Sequence, residues 1–149
     1  MKLRRIVIAL VLALALAYTG IVLANNRIAG ELESRLKGFP LPPGATLLDS
    51  LSIAGKTQGN GNGMQYYGAI LIDSGLSEGV LRTHYSLLET KADELVIARQ
   101  EGPELFGRAR FKAFTPGENR WRVMLARYSV SGTEETLWDE LLDMDIRGH

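Results

Sequence analysis

Two aspartates and a histidine near the end of the sequence have the types and spacing of a metal-binding group. Asp143, Asp145 and His149 form the pattern D-x-D-x-x-x-H. Carboxylates and imidazoles are common ligands of divalent metal ions, and residues two apart on a strand point to the same face. The pattern therefore predicts a metal site if the tail is a strand. Solvated acids on the outer face of that strand are the alternative, and no other cofactor is predicted.

Basic side chains recur along two neighbouring segments and could form an anion-binding face. Alternating apolar and charged residues predict two strands, 105–114 and 120–130, joined by a turn at 115–119. The side chains expected to lie together across this hairpin are Arg108, Arg110, Lys112, Arg120 and Arg122. Such a face could contact anionic lipid head groups, an envelope polymer or an envelope protein. A solvated face that pairs with nearby acids is the alternative.

His84, one of the two histidines in the chain, lies beside an apolar stripe of a predicted helix over residues 78–92. We expect it to pack there, because no catalytic partner is identifiable from the spacing. An enzyme would have to use His84 with nearby acids, or the aspartates and histidine of the tail with a metal ion.

The domain that positions these residues follows a long apolar segment. Ile6–Ala24 holds 19 residues without a charge, directly after Lys2, Arg4 and Arg5. A helix of that length, at about 1.5 Å per residue, spans roughly the 30 Å hydrocarbon core of a bilayer. Basic residues before the span favour a cytoplasmic N-terminus. The sequence therefore predicts a single-pass protein of the cell membrane with its C-terminal domain outside.

A cleaved signal peptide is the competing interpretation of this segment. Val22-Leu23-Ala24 has small residues placed acceptably for cleavage before Asn25, and a cleaved protein would be secreted. The apolar core of a signal peptide is usually about 7–15 residues long. The greater length of the run favours an uncleaved anchor.

The charge outside the anchor argues against a nucleic-acid-binding protein. Without Lys2, Arg4 and Arg5 the chain has 14 basic and 17 acidic side chains, a net charge of −3. Nucleic-acid-binding domains usually carry a basic excess. The chain has no cysteine, which excludes disulfides and thiol chemistry.

The sequence predicts three parts. Segment 25–37 repeats apolar residues at helical spacing, and three prolines within 40–43 stop the helix. We therefore predict a cytoplasmic tip and transmembrane anchor at 1–24, a stalk helix and proline-rich spacer at 25–44, and an extracytoplasmic domain at 45–149.

The pattern from residue 45 onwards predicts an α+β fold. Strands are predicted at 46–54, 64–73, 94–100, 105–114 and 120–130. These should form an antiparallel sheet of about five strands with one main helix, 78–92, packed on a face. A short helix around Leu137 and a terminal strand over 142–147 are predicted for the tail.

Three motifs, taken in order, resemble a group of small membrane-anchored bacterial proteins without an assigned function. Leu41–Thr46 reads LPPGAT, Gly59–Gly63 reads GNGNG, and Leu76-Ser77 opens the predicted helix. The resemblance covers most of residues 40–149. It implies an extracytoplasmic location and a single domain, and it implies no activity.

Together these features predict a membrane-anchored binding or interaction module of the bacterial cell envelope. The anchor, the proline boundary and the lack of a coherent active site favour this function over an enzyme. A small envelope hydrolase or metal-dependent enzyme is the first alternative. The second is a structural subunit of a membrane complex, which would expose an apolar patch.

Overall fold

The computed structural model of the protein describes residues 2–57, 63–106, 109–129 and 136–147. These residues form an α+β fold. Its helices are α1 (Lys2–Gly38), α2 (Glu78–Tyr85), which a 3-10 turn at Ser86–Leu88 extends, and α3 (Leu137–Asp143). Its strands are β1 (Thr46–Gly55), β2 (Gln65–Asp73), β3 (Glu94–Arg99), β4 (Glu104–Phe106), β5 (Ala109–Arg110) and β6 (Arg120–Tyr128).

Four of the strands form an antiparallel sheet in the order β1-β2-β6-β3. The central strand β2 pairs with β1 on one side and with β6 on the other. All of its residues except Asp73 are buried. Burial on both faces explains why its sequence is almost continuously apolar rather than alternating. Strands β4 and β5 pair in a separate two-stranded sheet.

Helix α1 is one continuous helix of 37 residues whose two halves have different patterns. Its N-terminal part contains an apolar stretch that is long enough to cross a membrane and has none of its residues buried. From Asn25 onwards every third or fourth residue is buried: Asn25, Ala29, Leu32 and Leu36. This amphipathic half packs its buried stripe onto the sheet.

Gly68 allows α1 to approach β2 closely. A Cβ atom built at Gly68 would lie 2.1 Å from the backbone nitrogen of Glu33 and 2.4 Å from the carbonyl carbon of Leu32. Only glycine leaves room for backbone at that distance. The helix therefore rests directly on the central strand.

The sheet has a hydrophobic core on each face. Helices α1 and α2 cover one face, where Leu32 and Leu81 pack with Ile70 and Val123. The segment containing β4 and β5 covers the other face, where the core includes Tyr67, Leu71, Met124, Leu105 and Phe111. Alternate residues of β2 and β6 thus contribute to different cores.

The predicted α+β class is confirmed, but the predicted five-stranded sheet is replaced by the four-stranded sheet and the small β4-β5 sheet. The predicted hairpin between 105–114 and 120–130 is wrong. Strand β6 lies between β2 and β3, so both of its edges are already paired. Segment 105–114 contributes only short strands and packs over a sheet face instead.

The predicted terminal strand over 142–147 is also wrong, whereas the short helix before it is confirmed. Helix α3 continues to Asp143, and Met144 is its C-cap. A capping box starts the helix, since the Thr136 and Asp139 side chains each accept a hydrogen bond from the backbone nitrogen of the other. The alternation of apolar residues in the tail belongs to a helix end followed by a turn.

Two helix predictions need adjustment. Helix α2 ends at Tyr85 and its 3-10 extension at Leu88, short of the predicted 92, although the predicted stripe of Leu81, Tyr85 and Leu88 is buried. The predicted stalk helix exists as the second half of α1. Its residues supply core side chains, because their amphipathic pattern fits the sheet face.

Candidate functional site

The predicted metal ligands in the tail have partners within the protein. Asp143 Oδ1 accepts hydrogen bonds from Met64 N at 2.7 Å and from Ser129 Oγ at 3.0 Å. His149 lies outside the described residues. Within the part of the chain that the structure describes, no group of three histidine, aspartate or glutamate side chains could hold a metal ion. Metal binding by Asp143, Asp145 and His149 stays a prediction.

Asp145 is fully buried in a polar cluster that joins the tail to α1. Asn25 Nδ2 donates to Asp145 Oδ2 and to the Leu142 carbonyl, both at 3.0 Å. Arg147 Nη2 donates to Asp145 Oδ2 at 2.6 Å, and Tyr66 Oη donates to Asn25 Oδ1 at 2.9 Å. Burial favours the neutral carboxyl, but hydrogen bonds from Arg147 and Asn25 prevail and hold the pKa of Asp145 below its usual value.

The four predicted basic residues that the structure describes, Arg110, Lys112, Arg120 and Arg122, do not form one face. Arg120 forms an ion pair with Asp73, its register partner on β2, and donates to the Thr115 carbonyl. Arg122 is half-buried, its Nη1 donates to Gln100 Oε1 at 3.2 Å, and burial lowers the pKa of its guanidinium. Arg108 lies outside the described residues. Because β6 sits inside the sheet, Arg120 and Arg122 point into structural contacts.

Arg110 and Lys112 do lie together, in a groove of about 540 Å³ along β1. The polar residues that line this groove with them are Glu33, Asp49, Ser50 and Ser52. Glu33 Oε1 accepts from Ser50 Oγ at 2.6 Å, so α1 forms one wall. Asp49 Oδ2 accepts from Ala113 N at 2.9 Å, which fixes the wall that carries the two cations. The groove therefore presents basic groups, hydroxyls and carboxylates side by side.

A buried charge cluster on α1 was not foreseen from the sequence. Asp93 is 2 % exposed and forms ion pairs with Arg35 of α1 and Arg127 of β6. Burial alone would raise the pKa of Asp93, but the hydrogen bonds and charges of Arg127 and Arg35 outweigh it and lower the pKa. The partners are 58 and 34 residues away along the chain, so no local spacing could have indicated them.

An exposed apolar patch lies on α3 and the residues after it. Its members, which we call the tail patch, are Leu137, Trp138, Leu141, Met144 and Ile146, each at least 44 % exposed. Trp138 lines a shallow groove with Leu23, Ala24 and Ile28 of α1. The patch therefore adjoins the end of the apolar half of α1.

His84 is a packing residue in the described fold. Its ring lies edge-on to Phe39 and Tyr85, with centroid distances of 5.5 and 4.9 Å. His84 Nε2 lies 2.7 Å from the Pro40 carbonyl oxygen. Burial raises the pKa of the neighbouring Tyr85 hydroxyl to about 12, which keeps it neutral. These contacts attach the end of α1 to α2.

Comparison with known proteins adds no constraint to this geometry. No family model matches the chain, and neither does any curated protein or solved structure.

Proposed function

We propose that the chain is a single-pass membrane protein that holds one interaction domain at a fixed height and orientation in the bacterial cell envelope. The observation that carries the proposal is the continuity of α1. Its first half exposes apolar side chains that suit lipid, and its second half is buried in the domain. An anchor and a domain that share one helix move as one body.

The groove that contains Arg110 and Lys112 is the proposed contact surface for an envelope partner. Its wall residue Glu33 lies nine residues beyond Ala24, which corresponds to about 13 Å along a helix axis. Head groups extend only about 5–7 Å beyond each side of the hydrocarbon core. A ligand in this groove would therefore be an envelope polymer or protein rather than the supporting lipid.

The absence of cysteine allows a clean test of topology. Single cysteines replace Leu3, before the apolar run, and Leu87, which is 83 % exposed on the domain. In spheroplasts a membrane-impermeant maleimide should label Leu87→Cys only, and after lysis it should label both variants. The labelled protein should also stay in the membrane pellet after alkaline carbonate extraction.

Labelling of Leu3→Cys but not of Leu87→Cys in spheroplasts would contradict the proposal, and so would release of the protein by carbonate. Cleavage after Ala24 would be seen as loss of the Leu3→Cys label together with a released 125-residue product. The experiment thus separates an anchored protein from a secreted one.

Site-specific crosslinking tests the proposed contact surface. A photoreactive residue at Lys112 should capture an envelope partner in intact cells, whereas one at Leu87 should not. Arg110→Glu should reduce the yield from position 112, because it reverses one of the two positive charges in the groove. Equal capture from positions 112 and 87, or none from either, would refute the groove as the contact surface.

A further inference from the structure

We propose that α3 and residues 144–147 form a second membrane contact, in which the tail patch inserts into the lipid–water interface beside the outer end of the apolar half of α1. This inference rests on the proposed membrane anchoring. It adds a second point of attachment, and two points fix both the tilt and the rotation of the domain relative to the bilayer.

The tail patch has the shape of an interfacial helix. Leu137, Trp138, Leu141 and Met144 follow the spacing i, i+1, i+4, i+7, which places them on one outward face. Leu142 lies on the inward side and is buried against the domain. A helix that is apolar on its exposed face requires a surface to cover it.

The height of the tail patch matches the end of the predicted span. Arg147 Nη1 donates to Asn26 Oδ1 at 2.9 Å, and Asn25 bonds the tail through Leu142 and Asp145. Asn25 and Asn26 directly follow Ala24, so these bonds join the tail to the residues that lie about 1.5 and 3 Å beyond the span's end along the axis. That level is the boundary between hydrocarbon and head groups.

The side chains at this level are those that prefer a membrane interface. Trp138 shares a groove with Leu23 and Ala24, and with Arg27, Ile28 and Glu31 on the following turns of α1. Arg147 bonds Asn26 at the same level. Tryptophan is enriched where bilayers meet water, and long arginine side chains reach that boundary.

The bilayer is a better occupant than a second protein, because the membrane that holds α1 already reaches the height of the tail patch. The contact should be apolar rather than electrostatic. Helix α3 contains no lysine or arginine and carries Asp139, Glu140 and Asp143. Insertion should therefore occur in neutral phosphatidylcholine as well as in vesicles that contain anionic lipid.

The two tryptophans of the chain provide the test. Trp138 is 60 % exposed, whereas Trp121 is 3 % exposed and donates to the Ser74 carbonyl. The full chain and its Trp138→Phe variant are reconstituted into phosphatidylcholine vesicles with brominated acyl chains. The emission of Trp138 is obtained as the emission of the wild type minus that of the variant. The brominated chains should quench this emission at least about twofold, as expected for an interfacial indole. The emission of Trp121 should not change.

Other outcomes separate the two proposals. If the protein resists carbonate extraction from the vesicles but Trp138 is unquenched and open to aqueous iodide, the tail contact is refuted and the anchor stands. If carbonate releases the protein, the anchor fails as well. The Trp138→Phe substitution used for the difference measurement lies outside the core. A misfolded variant therefore cannot produce either result.

Crosslinking in cells tests the remaining occupants. A photoreactive residue at Leu141 should give lipid adducts. A protein adduct, whether with another subunit or with a second copy of the chain, would overturn the assignment of the patch to the bilayer. As a second readout, Met144→Cys carrying an environment-sensitive fluorophore should shift to shorter wavelength on reconstitution, and an unchanged spectrum would count against insertion.

Discussion

The two halves of α1 are made of the same secondary structure but depend on different surroundings. Leu12 in the first half is 58 % exposed, whereas Leu32 in the second half is fully buried. The first half is apolar all round from Ile6 onwards, and the second is buried along one stripe that begins at Asn25. The comparison shows that the boundary between the exposed apolar half and the core-facing half of the helix is a change of pattern and not a break in the backbone.

The absence of proline from residues 2–38 has a mechanical consequence. Sharp kinks usually need proline, a π-bulge or an inserted side chain, and α1 is assigned as helix throughout. The three prolines lie after the helix, in the segment between α1 and β1. They end α1 but do not separate its apolar half from the domain.

The largest effect is expected where the second half of α1 touches β2. Gly68→Ala should destabilise the domain by about 4 kcal/mol, above the roughly 1–3 kcal/mol that overpacking usually costs. The added Cβ would meet the backbone of Leu32 and Glu33, which cannot move independently of the helix. Urea unfolding of the detergent-solubilised full chain, followed by tryptophan fluorescence, measures the loss.

Gly75→Ala is the matched control for this substitution. A Cβ at Gly75 meets no atom within 4 Å, so this variant should unfold like the wild type. Equal stability of the two variants would mean that α1 does not rest on the sheet at Gly68. The comparison between the two halves would then lose its basis.

The same substitution in each half gives the second test. Leu32→Ala should cost about 3 kcal/mol of unfolding free energy, as for other buried leucines. Leu12→Ala should leave domain unfolding unchanged, because Leu12 has no contact with the core. If Leu12→Ala also destabilised the domain, the first half of α1 would have to pack on protein.

The fold could be predicted from the sequence wherever local pattern and burial agree. Strand β2 is apolar nearly throughout because both of its faces are buried, and its predicted span 64–73 agrees with Gln65–Asp73. The alternation in 105–114 indicated a strand of the main sheet, but alternation does not specify a partner. The edges of β6 are occupied by β2 and β3, a long-range arrangement that no local pattern reveals.

The candidate site was predictable only in part, for a related reason. Arg110 and Lys112 share a groove because they are two residues apart on one segment. Arg120 was expected beside them but pairs with Asp73, which is 47 residues away. The buried cluster of Asn25 and Asp145 joins positions 120 residues apart. Sequence spacing indicates which residues are neighbours on one helix or strand. These contacts depend on how the helices and strands pack together.

The third prediction concerns the charges that attach the second half of α1 to the domain. Asp93→Asn should cost about 2 kcal/mol, below the roughly 3–5 kcal/mol for a fully buried pair. The expected loss of unfolding free energy is smaller because the side chains of Arg35 and Arg127 are 34 % and 33 % exposed and remain partly hydrated. Urea unfolding at pH 7 measures this difference without adding salt that would screen the charges.

The effect of Asp93 should depend on pH in a defined direction. Its folded pKa lies below the ordinary value, so its contribution is complete above about pH 4 and is lost as pH falls through the folded pKa. The stability difference between wild type and Asp93→Asn should therefore shrink as the solution is acidified below about pH 4. A difference that grew in acid would contradict the ion pairs with Arg35 and Arg127.

The smallest expected effect compares two glycines in one helix. A methyl group added at Gly20 or at Gly30 would meet no atom within 4 Å, so alanine fits at both positions. Gly30→Ala should stabilise the domain by about 0.5–1 kcal/mol, because alanine is the better helix former and this half unfolds with the domain. Gly20→Ala should not change domain unfolding, since a helix that stays in the detergent micelle contributes equally before and after the transition. Equal stabilisation by both substitutions would show that the whole of α1 unfolds with the domain, and the two halves would then share one environment.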